Sequence, residues 1–311
     1  MEVTFWGVRG SYPTPAPETV RYGGNTSCVE VRAHGGDRLV VDAGTGLTRL
    51  GDFLSSSGQL AGTHHILLSH LHWDHIQGLP FFAPAYDARA RISIHAMPDT
   101  AKPLAKVLAG VARHEFFPAA LDDFAAPFDF HEVMASQVFA PQSFRVTPFR
   151  LNHPSGAMGY RIDADGTSCA YVCDTAPFTE VLHKRHFLRG LEPLDDRDRL
   201  ELQALRDGVV QVITDCDTVI YDTHFLPEEY AKFPHFGHST PDQALALCTG
   251  IGIRQLVLYH HAPNHDDAIL DQMASVYAAL GQQVGLKVVT AREGMVLQVG
   301  ADDAGTRRVS P

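Results

Sequence analysis

Short runs of alternating or clustered apolar residues recur along the chain, separated by Gly- and Pro-rich turns. They predict strands at VTFWGV, SCVEVRA, RLVVDAG, HHILLSH and ARISIHAM in the first half. SFRVTPFRL, AMGYRIDA and SCAYVCDT continue the series between Ser143 and Thr175. TVIYDTHF and RQLVLYHH read as buried strands that end in polar residues, and LKVVTA and GMVLQVG close the series. Between the strands the apolar spacing turns helical. A helix is predicted from Asp99 through DTAKPLAKVLAGVARHEF, another from Asp195 through a charged, solvated DDRDRLELQALRDGV, and a third through HDDAILDQMASVYAALGQQVG. STPDQALALCTGIG has Ser239 or Thr240 as cap, Pro241 in its first turn and Gly250 near its end. Strands interspersed with helices define an α/β chain. The stretch at about 98–141 fits this pattern least and is read as a lid insertion packing over a cleft, within a single domain spanning 1–311. The 183–215 segment is assigned no role.

Composition narrows the classes of partner. The 311 residues are 45% hydrophobic and 20% charged, enough for a large core. Lys and Arg total 25 against 36 Asp and Glu, a net charge of −11. Phosphate contacts dominate the grip on long nucleic acid, so this balance argues against such a partner. The five cysteines, Cys28, Cys169, Cys173, Cys216 and Cys248, form no C-x-x-C pair and read as reduced thiols. No basic, then apolar, leader opens the sequence and no run is long enough to span a bilayer. The expectation is a cytoplasmic protein without a membrane partner, a homodimer being left open.

The 18 histidines raise the prior for metal chemistry, and also for decoys. The most concentrated group is SHLHWDHIQGLP, where His70, His72, Asp74 and His75 leave an apolar strand together. Two imidazoles one residue apart can aim at one ion from a tight turn, and the Asp-His pair can aim at a second point nearby. Imidazole and carboxylate donors suit zinc first, then manganese or iron, and the lack of cysteine disfavours a purely structural zinc site. One loop cannot close two metal sites. Further donors stand where other apolar strands end: His153 in RLNHPSG, Asp174 in AYVCDTA, and His260 and His261 in LVLYHHAP. A carboxylate ending a buried strand is costly unless it is paired or binds a metal.

FWGVRGS, VVDAGTG, SHLHWDH, NHPSG, CDT, GHST and YHHAP occur in an order and spacing that resemble the metallo-β-lactamase-fold hydrolase superfamily. The resemblance implies a four-layer αββα sandwich with a site for two divalent metal ions on one edge of the two sheets. His70, His72 and His153 would hold the first ion, Asp74, His75 and His260 the second, and Asp174 would bridge them. His260 is preferred to His261 because it directly follows the strand, as in the family.

FGHST resembles the ribonuclease Z-like phosphodiesterase branch, in which this histidine contacts the scissile phosphate and an upstream acid holds it. His238 takes the first role here and Asp222 the second, with His224 and Ser239 as further substrate contacts. A helix N-terminus with hydroxyls beside it suits an anion. The implied reaction is hydrolysis of a small phosphodiester, such as a cyclic nucleotide or another cyclic phosphate, by a metal-bridging hydroxide. Asp74, His238 and Asp222 form the catalytic set, His238 protonating the leaving oxygen. Rivals are a lactonase or thioesterase-type acyl hydrolase on the same metals, a tRNA 3′-processing endonuclease, and a non-catalytic sensor. Asp42 in DAGTG is read as support for the ligand loop. Asn25, Arg9 and Arg21 are weaker substrate candidates. His64, His65, His95, His114 and His131 are set aside for want of a strand-end context.

Overall fold

A computed structural model describes residues 1–98, 102–179, 181–182, 193–300 and 307–308. The chain divides into two compact units, one built mainly from Met1–Met134 and Arg292–Gln298, the other from Ala135–Ala291.

The first unit carries strands β1 (Glu2–Gly7), β2 (Cys28–Arg32), β3 (Arg38–Val41), β4 (Gly62–Leu67), β5 (Ala90–Ala96) and β6 (Phe128–Glu132), with helices α1 (Gly46–Ser56) and α2 (Leu104–Leu108). With β13 (Met295–Gln298) and β14 (Arg307–Arg308) they form one sheet in the order β14-β13-β1-β2-β3-β4-β5-β6. β3 to β6 run parallel. Leu47, Leu50 and Leu54 of α1 recur at helical spacing and pack with Val40, Ile66, Ile92 and Ile94 of the strands.

The second unit carries β7 (Arg145–Leu151), β8 (Ala157–Ala164), β9 (Thr167–Val172), β10 (Thr218–Asp222), β11 (Gln255–Tyr259) and β12 (Lys287–Thr290). Their order is β12-β11-β10-β9-β8-β7. β9 to β12 are parallel, and β8 is antiparallel to both β7 and β9. Its helices are α3 (Asp196–Ile213), α4 (Pro227–Tyr230), α5 (Pro241–Cys248) and α6 (Asp267–Gln283). Asp195 caps α3 through a reciprocal capping box with Asp198, and Thr240 rather than Ser239 caps α5. No helix among the described residues is long and apolar enough to cross a membrane. All five cysteines are buried free thiols.

One predicted helix changes. Of the helix expected from Asp99, the described residues form Leu104–Leu108. Pro103 is its cap, because proline disfavours helix in the residue before it, and Gly110 follows soon after its end. Residues 99–101 lie outside the described residues, as do 183–192 of the 183–215 segment. Up to Met134 the 98–141 stretch belongs to the first unit, where β6 pairs with β5 and Leu104, Leu108, Leu121 and Phe124 join the core, and 135–141 belong to the second.

Candidate active site

Parallel strands present all their C-terminal ends on one edge, where open α/β sheets bind ligands. Each unit uses this rule. In the first, Asp42 follows β3 and Ser69–His70 follow β4, its parallel neighbour. Asp42 takes φ 62°, a left-handed conformation that Asp tolerates better than most residues. Its carboxylate accepts from the Ser69 amide at 2.7 Å and the Ser69 hydroxyl at 2.9 Å, and from His75 Nδ1 at 2.8 Å. With its proton directed to Asp42, Ser69 Oγ accepts from His70 Nδ1 at 3.0 Å. Fixing Nδ1–H leaves Nε2 as the nitrogen that carries a lone pair. A carboxylate behind a histidine is the usual way of orienting a metal ligand.

The turn after β4 keeps the four donors close. The rings of His70 and His72, and of His70 and His75, are each 4.3 Å apart. His75 Nε2 is 3.3 Å from Asp74 Oδ2. The Ser11 amide donates to the same oxygen at 2.7 Å, tying the loop after β1 to Asp74.

In the second unit β9, β10 and β11 lie side by side, and Asp174, Asp222 and His260 stand at or just beyond their C-terminal ends. β7 points the same way as β9, being two antiparallel steps from it, so His153 leaves the sheet at that edge too. Asp174 (φ 59°) and His260 (φ 64°) hold left-handed conformations. Such strain concentrates at functional positions. His153 Nδ1–H donates to the Gly237 carbonyl at 2.8 Å, turning Nε2 toward Asp174 Oδ2 at 3.6 Å. His260 Nε2 lies 3.0 Å from Asp174 Oδ1. His261 is buried and faces the Ala291 carbonyl through Nε2 at 2.9 Å.

The Asp222–His238 pair expected from the sequence is a hydrogen bond of 2.9 Å from Nδ1 to Oδ2. Asp222 is fully buried and also accepts from the amides of Thr175 and His224, both at 3.0 Å. His224 stacks on His238 with ring centroids 4.3 Å apart and donates through Nδ1 to the His260 carbonyl. Burial first, then His238 and His260, lower its pKa well below the usual imidazole value. Asp174, Asp222, His238 and His260 bring donor atoms within 4.8 Å of one another. Ser239 is also fully buried, and its hydroxyl donates to the Thr175 carbonyl at 2.6 Å. It joins the turn after Asp174 to the His238 loop.

Imidazoles oriented from behind, interleaved with buried carboxylates and free of thiolate, fit hard or borderline divalent cations. The histidines set aside have other partners. His64 meets the Leu60 carbonyl, His65 and His95 pair at 3.2 Å, His131 stacks on His95, and His114 lies near Asp123. Asn25 grips the Glu293 carboxylate through its amide and side chain, and the buried Arg9 donates to the Gly23 carbonyl. The sequence reading missed Glu293 and Ser11, which hold loops through single contacts that no local pattern announces.

Residues 37–191 match the model of the beta-lactamase superfamily domain. Ribonuclease Z of Haloferax volcanii is 22% identical, over 98% of this chain and 96% of its own. Human tRNase Z, short form, superposes with a TM-score of 0.63 at 20% identity, covering 97% of this chain and all of that one. The metallo-β-lactamase fold protein YhfI from Bacillus subtilis gives a TM-score of 0.64 at 16% identity, over 95% and 98% of the two chains. The chain belongs to the metallo-β-lactamase superfamily and has its α/β fold. It is a metal-dependent hydrolase.

Proposed function

We propose that the protein is a phosphodiesterase that hydrolyses a small phosphodiester, such as a cyclic nucleotide or another cyclic phosphate, at a binuclear centre. His70, His72 and His153 would hold one ion, Asp74, His75 and His260 the other, with Asp174 shared between them. Zinc suits these donors best, and manganese and iron fit the same chemistry. Two such ions supply a water activated near neutral pH and neutralise charge on phosphoryl oxygens.

The observation that carries the reading is the buried Asp222–His238 hydrogen bond. Asp222 fixes Nδ1–H of His238 and favours the imidazolium. Nε2–H is then left to donate to a phosphoryl oxygen or to the departing alkoxide. A thioester, which expels a thiolate, needs no such acid on its leaving side. His224, stacked on His238, limits the angle at which that ring can turn.

The test is hydrolysis of bis(p-nitrophenyl) phosphate by the metal-loaded protein beside His238→Ala, followed by 2′,3′- and 3′,5′-cyclic nucleotides. Turnover that collapses in the variant supports the reading. No turnover with both metals bound would put lactones and thioesters first. Processing of tRNA 3′ ends is the second reading, favoured by the near full-length match to ribonuclease Z. The net charge of −11 weighs against it. The small substrate, the absence of a membrane partner and a cytoplasmic location remain part of the proposal, with homodimerisation open.

A further inference from the structure

The loop between β10 and α5 carries a feature that metal chemistry does not use. Phe225, Phe233 and Phe236 form one ring cluster: Phe225 is 5.8 Å from Phe233 and 6.2 Å from Phe236, and the latter two are 5.3 Å apart. Phe225 is buried, stands perpendicular to His224 at 4.7 Å, and touches His238 with ring centroids 5.9 Å apart. It is the fixed back of the cluster. Phe233 and Phe236 form its front, 40% and 36% exposed. Gly237 alone separates Phe236 from His238.

Scattered exposed apolar residues are ordinary, but two phenylalanines in one cluster with the phosphate-facing histidine are not scattered. An aromatic ring presents a face to any planar π-system, whatever its hydrogen-bonding pattern. His235 meets Phe236 edge-on at 4.8 Å and adds a polar group to the rim. A sugar or glycerol phosphate would leave these faces wet.

We infer that Phe233 and Phe236, backed by Phe225, are a stacking wall for a planar aromatic ring on the leaving side of the phosphate. The substrate class is therefore a nucleotide-type diester. The inference rests on the phosphodiesterase reading for the phosphate's position at His238. It assigns the two residues to binding and specificity.

The test measures binding, so it is separate from turnover. Adenosine 5′-monophosphate and ribose 5-phosphate are titrated by calorimetry into the full-length, metal-loaded protein and into Phe236→Ala, Phe233→Ala and Phe236→Tyr. Stacking of one base corresponds to a preference for the nucleotide of roughly ten-fold. Phe236→Ala should erase most of it while leaving ribose 5-phosphate affinity in place, and Phe236→Tyr should keep it. If the cluster merely shields His238, both ligands would weaken together. Equal affinities in the wild type, or a preference that survives both alanine variants, would overturn the inference. Should the alanine variants fail to fold, the wild-type comparison alone decides. Diester turnover without a nucleotide preference removes the wall and keeps the phosphodiesterase. A preference lost in Phe236→Ala, without diester turnover, keeps the wall and removes the phosphodiesterase.

Discussion

His75 Nδ1 donates to Asp42 Oδ2 at 2.8 Å, and both side chains are fully buried. The same carboxylate receives the Ser69 amide and hydroxyl, and the hydroxyl in turn receives His70. One acid at the end of β3 thus sets two proposed ligands on the turn after β4. Removing partners of this kind lowers metal affinity about 10- to 100-fold. Asp42→Ala should do so, and Asp42→Asn, which keeps one acceptor for the ring, should do less. Competition with a chromophoric chelator measures it. Unchanged affinity in Asp42→Ala would reduce Asp42 to a loop brace.

Asp222 and His238 act as a unit, so their variants should not add. His238→Ala should lower kcat on bis(p-nitrophenyl) phosphate by about a hundred-fold or more, the scale of positioned acid–base catalysis. Asp222→Asn should lose most of the same factor, and the double variant little beyond it. Metal content measured on the same samples should stay level in His238→Ala. Additive losses would mean that the 2.9 Å hydrogen bond is not the route by which Asp222 acts.

The strand-end places of the candidate residues were legible because each depends on a local pattern: an apolar run, then a polar residue that a buried edge tolerates only with a partner. Asp174, Asp222 and His260 all obey it. Strand β6 was missed because FDFHE lies at the sheet margin, where one partner strand suffices and alternation is short. Helix α1 was missed although Leu47, Leu50 and Leu54 mark its face, and its Gly46 and Gly51 lower its intrinsic helix propensity. Gly51 has a packing reason, since a Cβ there would lie 2.9 Å from the Ala83 amide nitrogen. No shift in composition marks the division of the chain near Met134. The phenylalanine wall is invisible in sequence because its members fall in a Pro-containing stretch without periodicity.

Gly237 lies where backbone and ligand geometry meet. It takes φ 85°, and a Cβ would fall 2.3 Å from Pro154 Cδ and 2.6 Å from His153 Nδ1. Its carbonyl is also the acceptor that orients His153. Gly237→Ala should destabilise the protein by about 1–3 kcal/mol, the scale of a strained non-glycine conformation, and weaken metal binding as well. Gly208 in α3 is the control, since a Cβ there meets nothing within 4 Å. Gly208→Ala should be neutral or stabilising by about 0.5–1 kcal/mol. Thermal melts of the two variants should move in opposite directions, or only Gly237→Ala should move.

Chelation tests the donor sets together. Asp174 lies buried with His153 at 3.6 Å and His260 at 3.0 Å, and Asp74 lies 3.3 Å from His75. Bound cations favour these carboxylates and neutral imidazoles in the folded chain far more than in the unfolded one, so binding energy becomes folding energy. At a free metal concentration of a hundred times Kd, one site adds about 2.7 kcal/mol. Exhaustive chelation should therefore lower Tm by roughly 5 °C or more and abolish turnover. Restoring zinc, manganese or iron singly should recover both, and the ion that returns the greater Tm at equal concentration identifies the better fit to the donors. A chelated sample shown by elemental analysis to be metal-free, yet equally stable and active, would remove the metal centre from the account of this protein.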